Sequence, residues 1–92
     1  MTTRNRKQLA SALIKIQCGK VKLHLALEQV TKIEAAEREI YDNGGEEYQD
    51  SEEGQTHHAD LNSLVDIIEC ITADIESIEG AENLFNEISI EP

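Results

Sequence analysis

Six aliphatic residues in the second half of the chain, Leu61, Leu64, Ile68, Ile71, Ile75 and Ile78, follow one another at alternating intervals of three and four. That alternation is the spacing of a helix that buries one narrow seam against another helix. The acids between them, Asp66, Glu69, Asp74, Glu76 and Glu79, all avoid the seam. The spacing predicts a helix over 57–79, with Thr56 as its N-cap and Gly80 as its stop, followed by a short C-terminal segment over 81–92.

A matching seam runs through the first half. Leu9, Ile16, Leu23, Val30 and Glu37 recur every seven residues, and Ala12, Gly19, Ala26, Ile33 and Ile40 fill the second position of each heptad. This predicts one helix over about 4–42, ending at Asn43-Gly44. The stretch Gly19 to Leu27, GKVKLHLAL, alternates polar and apolar residues and permits a second reading, a small α+β domain with strands at about 20–27 and 87–91. Gly19 inside a helix and the capping box from Thr31 to Glu34 favour that alternative. An isolated two-stranded ribbon is marginal in water, so the helix is the expected form.

Residues 43–55, NGGEEYQDSEEGQ, hold Glu46, Glu47, Asp50, Glu52 and Glu53 among glycines and read as a flexible acidic loop. The expected fold is therefore all-α: a single domain over 1–92 forming an antiparallel, coiled-coil-like helical hairpin. A reversal near residue 50 sets Gly19 opposite Glu82, where small side chains let the backbones approach. Ile14, Cys18, Val21 and Leu25 form a further apolar stripe on the far side of the first helix. A second copy of the chain would cover it, giving a homodimer and a four-helix bundle.

The charges are segregated. The formal net charge is −11; residues 1–27 hold six bases and no acid, and 28–92 hold two bases and nineteen acids. No base follows Arg38. Such a balance favours basic partners and disfavours direct binding to nucleic acid, because the acids repel phosphates within a Debye length of about 8 Å. The acid-free start resembles an organellar presequence, but a basic helix pairing with an acidic one explains the same residues. No apolar run is long enough to cross a membrane.

Catalytic chemistry has little to work with. The paired glutamates lie in the expected loop, where nothing would shift a carboxyl pKa, and no phosphate-cradling or nucleophile-elbow motif occurs. His57, His58 and Asp60 lack the spacing of a metal site, and the acids from Asp50 to Glu53 miss the calcium-loop pattern. Cys18 and Cys70 have no CxxC companion, so a reduced cytoplasmic setting is expected, with no enzyme activity, metal or cofactor. Two functions remain. The first is an acidic protein-binding module that imitates nucleic acid through Asp66, Glu69, Asp74, Glu76 and Glu79 and so inhibits a basic DNA- or RNA-binding protein. In size, charge and lack of catalytic residues the chain resembles the small inhibitors that phages deploy against restriction or CRISPR systems. The second is a structural coiled-coil module that mediates assembly.

Overall fold

The computed structural model describes residues 1–88 as three helices: α1 (Thr3–Asn43), α2 (Gly45–Asp50) and α3 (Glu52–Glu87). The two long helices run antiparallel along each other, and the rod measures 67 × 15 × 15 Å. A 41-residue helix rises about 62 Å, so α1 alone accounts for nearly the whole length. No strand occurs among the described residues. Val21 to Leu27 lie inside α1, and of the second expected strand Glu87 closes α3 while 89–91 lie outside the described residues.

The inward face of α3 is the expected one, and it is longer. Leu61 and Ile75 are buried, and Leu64, Ile68, Ile71 and Ile78 are half-buried. The same three-four alternation continues backward through half-buried His57 to buried Gly54, and forward through half-buried Glu82 to Phe85. The helix therefore begins at Glu52 rather than 57 and ends at Glu87 rather than 79. Gly80 is no stop: it is exposed, with open space where a Cβ would stand. The N-cap is Ser51 rather than Thr56, its Oγ accepting from the Gly54 N–H at 3.0 Å.

In α1 the expected seam holds through Ala12, Gly19 and Ala26, which are half-buried, and shifts only toward the turn. Leu9, Ile16, Leu23, Val30 and Glu37 face inward as expected, but Ile33 and Ile40 are 44% and 57% exposed. Their places are taken one residue later, by the half-buried row Leu13, Lys20, Leu27, Glu34 and Tyr41. Two of those five carry charge, and each meets an opposite charge. Lys20 Nζ lies 2.8 Å from Glu82 Oε1 on α3, and Arg38 Nε lies 2.6 Å from Glu34 Oε1.

The expected flexible loop over 43–55 is replaced by a folded turn. Gly45, with φ of 76°, adopts the left-handed conformation that reverses the chain, one residue later than the Asn43-Gly44 stop implied. Glu46 and Glu47 then occupy the first turn of α2, and Glu52 and Glu53 the first turn of α3. Carboxylates at helix N-termini complement the partial positive charge of the free N–H groups there. The acids that read as solvated loop thus favour the two helix starts that build it.

Gly19 and Gly80 do not bring the long helices together, because a Cβ at either meets nothing within 4 Å. Both are plain helix-interior glycines, which cost roughly 0.5–1 kcal/mol relative to alanine. Gly19→Ala and Gly80→Ala should each raise the stability of the hairpin by about that amount, read as a higher urea midpoint at unchanged slope.

Candidate functional surface

Folding rearranges the charge that the sequence segregates. Because α3 returns along α1, its acids come back along the base-rich half of α1, with Glu79 and Glu82 near Lys20. The contact between Lys20 and Glu82 fixes that alignment, close to the expected opposition of Gly19 and Glu82. The open half of the rod, residues 1–27 with 74–88, therefore carries six bases against five acids. The turn half, residues 28–73, carries thirteen acids against Lys32 and Arg38, a net −11. Both of those bases are already engaged within α1, Lys32 at 3.1 Å from Glu28 and Arg38 with Glu34.

The residues expected to form one acidic face divide between these halves. All five are exposed, but Asp66 and Glu69 lie in the turn half, while Asp74, Glu76 and Glu79 lie in the near-neutral open half. By helical position Asp66, Glu69 and Glu76 share the outermost row of α3, and Asp74 and Glu79 stand on opposite flanks. The loop acids Glu46, Glu47, Asp50, Glu52 and Glu53 are all exposed around the folded turn, continuous with Asp60, Asp66 and Glu69. The stripe Ile14, Cys18, Val21 and Leu25 is fully on the outside of α1, with the three large members 59–62% exposed.

A compact polar and aromatic cluster holds the acidic tip in shape. Tyr48 Oη stands 2.7 Å from His57 Nδ1, and His57 Nε2 stands 2.9 Å from Glu37 Oε2 on α1. A carboxylate can only accept, so Nε2 is the donor to Glu37, and Nδ1 and the Tyr48 hydroxyl share the second hydrogen bond. Tyr41 packs edge-on against Tyr48 and His57, at centroid distances of 6.2 and 5.6 Å. Gln49 Nε2 donates to the Tyr41 carbonyl at 3.2 Å, tying α2 to α1. Both ring nitrogens of His57 are thus occupied by protein groups that join all three helices. By sequence His57 shows only that it lacks the spacing of a metal site, and nothing there marks Glu37, Tyr41 and Tyr48 as its partners. Continuing the seam backward from Leu61 would have found His57 and Gly54.

At the far end the bond between Lys20 and Glu82 spans the seam with both side chains partly covered, at 27% and 19% exposure. Hydrogen bonding to Glu82 holds Lys20 above the usual lysine range despite its desolvation, and the same bond holds Glu82 below the usual carboxylate range. Both groups are therefore charged across the neutral pH range.

Comparison of the chain with protein-family models, with curated proteins and with solved structures gave no match. No helix of the described residues is long and apolar enough to cross a membrane.

Proposed function

We propose that the turn half of the rod is an anionic ligand for a basic protein, occupying a groove that otherwise receives the phosphates of a nucleic acid. The observation that carries this reading is the net −11 gathered into one end of the rod, with its only two bases consumed by neighbouring acids. The first 27 residues span about 40 Å of the 67 Å rod, leaving about 27 Å for the turn half, or roughly one net charge per 2.5 Å. Duplex DNA carries one per about 1.7 Å. The two densities are close enough for a groove lined with lysine and arginine to accept either. The tip is also pre-shaped by the Tyr48–His57–Glu37 linkage, which lowers the ordering cost of binding. Inhibition would follow from occupancy alone, with no reaction at the surface.

Competition with DNA tests this. Mixed with a lysine-rich, sequence-independent DNA-binding protein, the chain should displace labelled duplex DNA, with an apparent affinity that falls at least tenfold between 50 and 300 mM salt. Asp66→Lys with Glu69→Lys should abolish displacement. Glu76→Lys with Glu79→Lys, which changes the total charge equally but lies in the open half, should leave most of it. Displacement that ignores salt, or that falls equally with both double variants, refutes a localised anionic site.

A further inference from the structure

The outward row of α1, opposite its seam, is ordered by chemistry from one end to the other. It begins basic with Arg4 and Lys7, becomes apolar through Ile14, Cys18, Val21 and Leu25, and turns predominantly acidic toward Glu28, Glu39 and Asp42. Every one of these residues is exposed, and all fall on a single three-four row. Reversed about its middle, the row lays apolar residue on apolar residue and carries the acidic end away from its counterpart.

The geometry points to a second copy of this chain as the occupant of that row, docked antiparallel, α1 against α1, about a two-fold axis between Cys18 and Val21. Ile14 then meets Leu25 of the second copy, and Cys18 meets Val21 of the second copy. Arg4 of each copy then lies opposite Ala35 of the other and Lys7 opposite Lys32, so the acid-free segment 1–11 runs beside residues 28–38, which hold Glu28, Glu34 and Glu37. Residues 28–39 hold two bases, Lys32 and Arg38, each already paired with a glutamate of its own helix, Glu28 and Glu34.

Charge selects the direction. A parallel pair would lay two turn halves of net −11 side by side. The antiparallel pair puts the turns about 24 residues from the axis on either side, so the two acidic tips stand about 75 Å apart, many times the Debye length of about 8 Å.

A row this long offers area enough for a standard interface, in which each partner gives up roughly 800 Å², and its apolar middle, Ile14, Val21 and Leu25, is 59–62% exposed. The assembly would be a flat four-helix array in the order α3, α1, α1, α3, presenting two anionic tips at opposite ends. It does not depend on what the tips bind.

Light scattering and labelling test the arrangement. At about 100 μM the full chain should weigh twice 10.3 kDa. Val21→Asp, at a site with no seam contact, should return it to a single mass with helicity unchanged by circular dichroism. Ile67→Asp, an exposed apolar site on α3, should leave the dimer intact. With Cys18→Ala and Cys70→Ala, donor and acceptor dyes placed on Asp50→Cys of different copies should show little energy transfer. A donor on Arg4→Cys and an acceptor on Ala35→Cys of the other copy should show strong transfer. A single-chain mass at this concentration, a dimer that survives Val21→Asp, or strong transfer between the two tips each overturns the proposal.

Discussion

Gly54→Ala should lower the melting temperature of the hairpin by about 15 °C, more than any other substitution of a single small residue. Gly54 is the only buried residue of the turn, and α2 crosses directly over it. A Cβ there would stand 1.9 Å from the Tyr48 carbonyl oxygen, 2.7 Å from its carbonyl carbon and 2.9 Å from Gln49 Cα. All three are backbone atoms, so no side-chain rotation relieves the clash. α2 must lift away from α3. That breaks the Ser51 cap, whose acceptor oxygen bonds the Gly54 N–H, and pulls Tyr48 from His57. Overpacking against rigid backbone costs about 3 kcal/mol, and in a domain of this length each kcal/mol moves the midpoint by about 4–8 °C. Thermal unfolding followed at 222 nm reads the result. A shift under 3 °C would mean that α2 does not sit on Gly54.

Leu61→Ala should cost about 3 kcal/mol and Ile33→Ala less than about 1, although both side chains hold seam positions by sequence. Leu61 is 1% exposed and is one of only two buried apolar side chains among the described residues, the other being Ile75 two heptads along. With a core this thin, the loss at Leu61 is a large fraction of the few kcal/mol by which small domains are stable. Ile33 lies 44% exposed, and Glu34 stands inward in its place. Urea unfolding of the two variants separates them. Equal losses would restore Ile33 to the seam and undo the displaced α1 face.

The α3 seam was legible in the sequence because its members from Leu61 to Ile78 are all aliphatic. Its extension was not, because Gly54, His57 and Glu82 hold seam positions without being hydrophobic. The same blindness displaced the α1 seam. Hydrophobicity selects Ile33 and Ile40, while the chain half-buries Glu34 and Tyr41 beside them; Glu34 is met by Arg38 one turn along the same helix, whereas Lys20 is met by Glu82 across the seam, which no single-helix pattern reveals. The turn was misread as loop from its acidity. Yet Ser51 followed by two glutamates is a helix-start signal, and it went unused because the stretch has no apolar periodicity to follow. For the candidate surface, counting acids along the chain gives their total but not their distribution in space. The antiparallel return brings Glu79 and Glu82 near Lys20 and gathers the acids of residues 28–73 around the turn.

Two rungs of polar bonds cross between the long helices, one near each end of α3. A purely aliphatic seam would let one helix slip past the other by a heptad, about 10.5 Å, and find similar contacts again. Such a slip here would strand an ammonium and a carboxylate at one end and unseat an imidazole at the other. Stretched along its long axis, the molecule should therefore behave as a beam bolted at both ends. It can flex between its fastenings, but it yields to shear only when both let go together.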